Sequence, residues 1–220
     1  MKRIPLWFKV LYTAFLCVLV PYYWRTYSPW NFLYFCDMAL LITCAGVWLE
    51  NSLLVSTQAV GIVLPQTLWI AYFMAHLVVG SGITGMTDYM FKADLPLFVR
   101  GLSLFHGWLP LVLVWLLTRV GYDRRALAGQ TVFGVVLLIV CYVLAPAPPP
   151  PASHPGFAVN INYVYGLDDA HAQTWMAPNA WFALLVSFIV VCLYVPAHLA
   201  MRWLFPDAAV SVPVAETVSV

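Results

Sequence analysis

Two ionisable side chains, Asp37 and His106, lie inside long apolar runs of the sequence. A charged group within hydrocarbon is costly, so such residues normally face the interior of a helix bundle and are candidates for function. A carboxylate that accepts a hydrogen bond from an imidazole fixes the tautomer of the ring and strengthens it as a base. Asp37 and His106 can therefore meet, either in a catalytic site or as a buried polar pair that holds two helices together, and the sequence leaves open whether they touch.

Cys36 adjoins Asp37 in the sequence, and a thiol beside a base can act as a nucleophile. Helix geometry turns the two residues about 100° apart, so the sequence leaves open whether Cys36 or Tyr34 lines a pocket near His106. The chain has five cysteines, all inside apolar runs, where a disulfide framework of the secreted kind is not expected. We predict simple buried side chains for the other four, which are Cys17, Cys44, Cys141 and Cys192.

A second polar cluster spans residues 160–171, which include two asparagines, two tyrosines and two aspartates but no lysine or arginine. Two interpretations remain open. The segment could fold over the helix ends as a lid whose Asn160, Asn162 and Tyr163 side chains, together with Tyr34, bind a lipid headgroup. It could equally be a short solvated hairpin.

No metal site or cofactor is predicted. Asp169 and His171, with His154 or His76, could ligate a metal, but their spacing is not that of a metal motif. The glycines of residues 80–85 match a dinucleotide pattern in letters only, because no strand precedes them.

The composition indicates a membrane protein. Of the 220 residues 63% are hydrophobic and 9% are charged, whereas soluble domains carry about a quarter of their residues as charged side chains. The charges fall between apolar runs of about twenty residues, the length that crosses hydrocarbon as a helix. Membrane lipids are therefore the expected partners. A net charge of +1 does not favour nucleic acid, and the sequence indicates neither a soluble partner nor an oligomeric state.

The predicted fold is all-α, a polytopic transmembrane bundle of about six helices in a single domain over residues 1–205. The helices are expected at about 6–23, 30–49, 52–77, 96–117, 126–145 and 180–200. An outer loop, 146–179, begins with a proline-rich segment that must be extended, and the tail 206–220 is expected to be disordered.

Lysine and arginine set the predicted orientation, because basic residues near helix ends are retained in the cytoplasm. With both termini cytoplasmic, seven of the ten basic residues lie inside and three outside. Splitting residues 52–86 into two helices would give seven helices and would place the basic pair at 124–125 on the outer side of the membrane, so we prefer six. The inner residues are Lys2, Arg3, Lys9, Arg119, Arg124, Arg125 and Arg202, and the outer ones are Arg25, Lys92 and Arg100. We expect the protein in a bacterial inner membrane.

Three segments carry a family resemblance: Trp30 to Asp37, Leu104 to Pro110 and Asn160 to Gly166. They resemble a group of uncharacterised bacterial integral membrane proteins. More distantly they resemble the YwaF-like family, with its eukaryotic acyltransferase-like relatives, and the androgen-induced type of transmembrane threonine hydrolase.

The resemblance implies roles for particular residues. His106 stands where those families have a histidine base, and Cys36 resembles the cysteine of the acyltransferase-like branch. Asn162 and Tyr163 resemble the loop motif. The threonine nucleophile of the hydrolase branch would fall at Tyr34, whose bulky phenol with a pKa near 10 is a poor substitute.

Our leading hypothesis is a membrane-embedded enzyme of acyl chemistry, a lipid or fatty-acyl hydrolase or acyltransferase. In it Cys36 attacks a carbonyl and His106, oriented by Asp37, moves the proton. The alternative is a non-catalytic scaffold or small-ligand transporter, in which Asp37 and His106 form a structural pair or a proton relay.

Overall fold

The computed structural model describes residues 3–80, 87–93, 95–205 and 207–208, and within these ranges the protein is built from six main helices and no β-strand. Five of the helices are long and apolar enough to cross a membrane. The predicted all-α, membrane-type bundle is confirmed. The helices are α1 (Leu6–Thr26), α2 (Phe35–Leu49), α3 (Ser52–Val79), α4 (Leu97–Val120), α5 (Ala126–Leu144) and α6 (Pro178–Leu204).

Two of the long helices are interrupted. The first part of α4 ends at Ser103, and the second begins at Phe105. In α6 a π-helical stretch, Ile189–Tyr194, separates two α-helical parts. Such π-helical insertions carry an i→i+5 hydrogen-bond pattern and are frequent at functional sites.

The start of α2 differs from the prediction, which placed it at Trp30. Residues Pro29–Leu33 form a 3-10 helix instead, and Tyr34 is extended, with φ −61° and ψ 139°. Asp37 therefore lies in the first turn of α2 rather than seven residues inside the helix. With 15 residues, α2 is only about 22 Å long, short of the roughly 30 Å of a hydrocarbon core.

A tight turn joins α2 to α3. Glu50 adopts a left-handed conformation with φ 49°, and the Asn51 side chain caps α3 by accepting a hydrogen bond from the Leu54 amide at 3.0 Å. Glu50 also forms an ion pair with Lys9 of α1 at 2.7 Å. The turn thereby fastens three helices at the end of the bundle opposite to the outer loop.

The central element is α3, which packs against α2, α4, α5 and α6. Its residues 55–62 are all buried, as are the facing residues of α4, among them Leu109, Leu113 and Leu116. Large apolar side chains also cover the outside of the bundle, including Leu11, Val132, Val136, Val143 and Val191. An exposed apolar surface of this extent fits lipid rather than water.

The outer loop occupies residues 145–177 and lies against the ends of the helices. Its Val159, Ile161 and Val164 are almost completely buried. The imidazole of His154 hydrogen-bonds the Thr26 carbonyl at 2.8 Å, which ties the loop to the end of α1. Val159, Ile161 and Val164 therefore cover the helix ends, whereas residues 167–172 are exposed.

Some sequence predictions concern residues outside the described ranges. They include the glycine pattern beyond Gly80, the charge of Lys2 and most of the tail. The described part of the tail is docked: the Ala208 amide donates to the Tyr122 carbonyl at 2.9 Å, and Asp207 pairs with Arg124 at 2.6 Å. For these two residues the prediction of disorder is wrong.

We predict that Gly134→Val destabilises the bundle, because a β-carbon at Gly134 would lie 2.7 Å from the hydroxyl of the buried Tyr194. Overpacking of this kind costs about 1–3 kcal/mol. Gly101→Val is the matched control, since a β-carbon there meets nothing within 4 Å. Thermal unfolding of the two purified variants in one detergent measures the difference, and equal melting temperatures would contradict the packing described for α5 and α6.

The Glu50 ion pair predicts a pH effect on stability. The hydrogen bond from Lys9 lowers the pKa of Glu50. A carboxyl whose pKa is lower in the folded state stabilises the fold above its ordinary pKa, and this contribution is lost as the pH falls through the lowered value. Melting temperature against pH should therefore fall less steeply on the acid side in Glu50→Gln than in wild type. Identical acid-side slopes would show that the pair contributes nothing.

Candidate functional site

Asp37 is buried in the first turn of α2, where the positive end of the helix dipole favours a carboxylate. Its Oδ2 accepts hydrogen bonds from the Asn31 amide at 3.3 Å and from the Cys36 thiol at 3.6 Å. Its Oδ1 is buried and has no hydrogen-bond partner. One oxygen of the carboxylate is therefore available to a bound molecule.

His106 lies in α4 with its ring stacked on that of Trp69 and tilted against that of Phe105. The ring is 5.4 Å from that of Trp69 and 4.1 Å from that of Phe105. Its Nδ1 lies 2.8 Å from the carbonyl oxygen of Ser103. Because a carbonyl can only accept, Nδ1 carries the hydrogen and Nε2 keeps a free lone pair. This tautomer can accept a proton.

The interruption of α4 explains why the Ser103 carbonyl is free for His106. In an uninterrupted helix that carbonyl would accept from the amide of Gly107. Here the Gly107 amide donates to Leu104 at 2.9 Å instead. A local change in the backbone therefore creates the acceptor that holds the imidazole.

No hydrogen bond or ion pair of the described residues joins Asp37 and His106, so the hypothesised orientation of His106 by Asp37 is not found. Asp37 has a short side chain in the first turn of its helix, and its bonded oxygen is taken by local neighbours. The group that fixes the tautomer of His106 is the Ser103 carbonyl. Neither the structural pair nor the catalytic pair exists in the form predicted.

Shared neighbours nevertheless link the two residues. The hydroxyl of Tyr23 hydrogen-bonds that of Ser103 at 3.2 Å. Tyr89, between α3 and α4, is half-buried, and its pKa is raised, chiefly by burial and to a smaller extent by the nearby Cys36 sulfur. We define the outer polar cluster as Tyr23, Cys36, Asp37, Tyr89, Ser103 and His106.

Two residues beside this cluster also have unpaired polar groups. The ring nitrogen of Trp69 is buried without a hydrogen-bond partner. The same holds for both amide atoms of Gln66, one turn earlier on α3. A buried polar group left unpaired is costly, and most of all where no water competes. The bundle thus holds donors and acceptors that a small polar molecule or a polar lipid group could satisfy.

Cys36 is partly buried and packs against the core. Its thiol reaches Asp37 although helix geometry separates the two, because both lie in the first turn, where the chain bends from the 3-10 helix into α2. All five cysteines are free. Cys17 and Cys192 are exposed on the outside of the bundle, so the prediction of burial is wrong for these two.

Asn162 does not present its amide to a ligand. Its Oδ1 accepts from the Phe35 amide at 2.9 Å, and its Nδ2 donates to the Leu33 carbonyl at 2.8 Å and contacts the Cys141 sulfur at 3.6 Å. The side chain therefore fastens the outer loop to the first residue of α2, beside Cys36.

Asn160 and Tyr34 are likewise occupied by internal hydrogen bonds. The Asn160 amide binds backbone groups of the loop, including the Tyr165 amide at 2.9 Å and the Gly166 carbonyl at 3.0 Å. The Tyr34 hydroxyl donates to the Val159 carbonyl at 3.2 Å. Of the four residues predicted to bind substrate, Tyr163 alone is half exposed, and the other three hold the loop in place.

The histidines considered for a metal lie apart. The His76 and Asp88 side chains are 3.7 Å apart, those of His171 and Asp168 are 3.5 Å apart, and His154 bonds a carbonyl. No group of three metal-ligating side chains occurs among the described residues.

An apolar groove opens on the outside of the bundle near the outer polar cluster. It has a volume of about 450 Å³ and lies between α1 and the start of α4, lined by Val18, Pro21, Tyr22 and Phe98, with Arg25 at its end. Tyr22 precedes Tyr23 of the cluster. An acyl chain fits such a surface, although Cys36 and His106 are not among its lining residues.

Sequence reasoning missed Tyr23, Tyr89, Ser103 and Trp69. One signal was present: Ser103 precedes His106 by three residues, a spacing that places both on one helix face. Tyr89 lies in a 3-10 helix, Asp88–Phe91, within a segment whose fold the sequence does not indicate.

Together, the long apolar helices and the buried polar cluster define a multi-pass membrane protein with a candidate site in the half of the bundle nearest the outer loop. Comparison of the chain with protein-family models, curated proteins and solved structures found no match. The family resemblance of the three sequence segments therefore stays a prediction.

We predict that Asn162→Ala loosens the outer loop and the start of α2, because it leaves the Phe35 amide and the Leu33 carbonyl without partners. Each buried group left unpaired costs about 1–3 kcal/mol. Asn179→Ala, which removes one exposed hydrogen bond to Tyr142, is the control. Hydrogen exchange at residues 33–37 should rise in the first variant alone, and unchanged exchange would contradict the anchoring role.

Proposed function

We propose that the protein is a membrane-embedded enzyme of acyl chemistry, with Cys36 as nucleophile and Asp37 as the group that takes its proton. The observation that carries the proposal is the hydrogen bond from the Cys36 thiol to the buried Asp37 carboxylate. A nucleophilic thiol needs a neighbouring base, and a carboxylate within reach can be that base.

The first half-reaction would form a thioester. The Cys36 sulfur attacks the carbonyl carbon of a lipid or fatty-acyl ester while its proton passes to Asp37. A sulfur–carbon bond forms, the carbon–oxygen bond of the ester breaks, and the leaving alkoxide takes the proton back from Asp37. The products are an alcohol and an acyl group on Cys36.

The second half-reaction would use His106. Water or an acceptor alcohol attacks the thioester and gives its proton to the free Nε2 of His106, whose Nδ1 is held by Ser103. The sulfur–carbon bond breaks, and the proton returns from His106 to the sulfur.

The groove beside α1 supports a lipid as the substrate, because its apolar walls suit an acyl chain and Arg25 suits a phosphate. The lysine and arginine bias supports a bacterial inner membrane with both termini cytoplasmic. In that orientation the outer polar cluster lies in the leaflet away from the cytoplasm.

A second candidate function is a proton relay or small-ligand transport. The hydrogen bond between Tyr23 and Ser103 and the unpaired Oδ1 of Asp37 favour it. Hydroxyl groups near a carboxylate and an imidazole can form part of a proton path, and ionisable residues within bundles often belong to such paths.

Labelling with a tagged lipid tests the acyl proposal. Protein in nanodiscs whose phospholipid carries alkyne-tagged acyl chains should acquire a hydroxylamine-sensitive label. Cys36→Ala should abolish the label, and Asp37→Asn should greatly reduce it. His106→Gln should keep the label but slow its turnover by about 10²–10⁴-fold, the usual contribution of general base catalysis.

Cys44→Ala, on the same helix and also partly buried, is the matched control and should label like wild type. Equal labelling of Cys36→Ala and wild type would exclude Cys36 as nucleophile. The relay function predicts a different outcome: in proteoliposomes Asp37→Asn abolishes proton movement while Cys36→Ala leaves it unchanged.

A further inference from the structure

The outer loop contains a second cleft, separate from the outer polar cluster. It is open, about 280 Å³ in volume, and lies between residues 167–175 and Trp181. The rings of Trp175 and Trp181 meet edge to face at 5.6 Å and 72°. Trp181 is buried and held by a hydrogen bond from its ring nitrogen to the Tyr163 carbonyl at 2.9 Å, whereas Trp175 is 67% exposed. Trp181 thus forms a fixed aromatic wall of the cleft, and Trp175 forms an exposed one.

A negative charge lies in the same cleft. The Ala170 amide donates to the Asp168 carboxylate at 2.9 Å, and this hydrogen bond, with a smaller effect of His171, lowers the pKa of Asp168. Asp168 is therefore ionised at neutral pH. The outer loop has no lysine or arginine that would neutralise it. The cleft should attract a cation.

Two polar side chains of the cleft, those of Gln173 and Asp168, are already engaged. The Gln173 amide both donates to and accepts from the Met176 backbone at 3.0 Å. One oxygen of Asp168 holds the Ala170 amide, and the other faces His171 at 3.5 Å. A primary ammonium needs about three acceptors, whereas a quaternary ammonium needs none. Aromatic faces with a nearby carboxylate suit the quaternary ion.

We propose that this cleft binds a quaternary ammonium of the choline type, presented by the headgroup of a membrane lipid. Trp175 and Trp181 contact the methyl groups, and Asp168 supplies the opposite charge. The cleft lies just before α6, a helix long enough to cross a membrane, begins at Pro178, and the ends of such helices meet the lipid headgroups. The proposal does not depend on acyl chemistry at Cys36.

Another explanation of Trp175 is an interfacial anchor, since tryptophan is common at the membrane surface. An anchor predicts no preference among headgroups and no role for Asp168. Binding measurements with lipids that differ only in the headgroup separate the two explanations.

Calorimetric titration of the detergent-purified protein with short-chain phosphatidylcholine, phosphatidylethanolamine and phosphatidylglycerol is the test. Phosphatidylcholine should bind most tightly. Trp175→Ala should weaken that binding by about two- to fivefold, the range of exposed cation–π contacts. Asp168→Asn should weaken it and reduce its dependence on salt. Trp24→Ala, another exposed tryptophan at the same end of the bundle, should bind like wild type.

Free choline distinguishes the source of the ligand. If free choline binds more weakly than phosphatidylcholine but depends on Trp175 in the same way, the lipid headgroup is supported as the ligand. If free choline and phosphatidylcholine bind equally, the lipid assignment is overturned. Equal binding of all three lipids, or unchanged binding by Trp175→Ala, would overturn the proposal as a whole. Cys36→Ala should still bind phosphatidylcholine. The binding result is therefore independent of whether the acyl proposal holds.

Discussion

The side-chain amide of Asn162 holds the beginning of α2, and the candidate site depends on that hold. Its hydrogen bonds to the Phe35 amide and the Leu33 carbonyl fix the point where the 3-10 helix ends and α2 begins. Cys36 and Asp37 are the next two residues, so their positions follow from this junction. Because Asn162 belongs to the outer loop, its hydrogen bonds connect this loop with the candidate site beneath it.

The low-dielectric environment of the bundle explains the rest of the arrangement. Inside hydrocarbon the backbone must satisfy its own hydrogen bonds, and a carbonyl released by a helix interruption needs another donor. The interruption of α4 at Leu104 releases the Ser103 carbonyl, and His106 supplies the donor. Asp37 has one oxygen bonded and one free, and Trp69 and Gln66 add further unpaired groups. These groups lie within one half of the bundle, where a ligand would complete them.

The sequence predicted the helical fold well, because apolar runs and charged breaks determine which residues can cross a membrane. The start of α2 was missed since Trp30 to Leu33 are as apolar as a helix and only Pro29 indicated a turn. Asp37 is buried and His106 is half-buried in the structure, but the sequence did not indicate the hydrogen-bond partners of either residue. Hydrogen bonds made by a side chain depend on distances between helices, which a periodic pattern does not contain.

By itself the sequence determined the membrane character, the number and approximate positions of the helices and the presence of costly polar groups within them, because these depend on local composition and on the thickness of hydrocarbon. The tertiary structure alone decided that Asn160, Asn162 and Tyr34 anchor a loop, that Ser103 orients His106 and that Cys36 contacts Asp37. These outcomes depend on how the ends of α1, α2, α4 and α5 are held against the outer loop. The physical reason is that a short polar side chain bonds whatever lies within about 3 Å of it, and only packing brings distant parts of the chain to that distance.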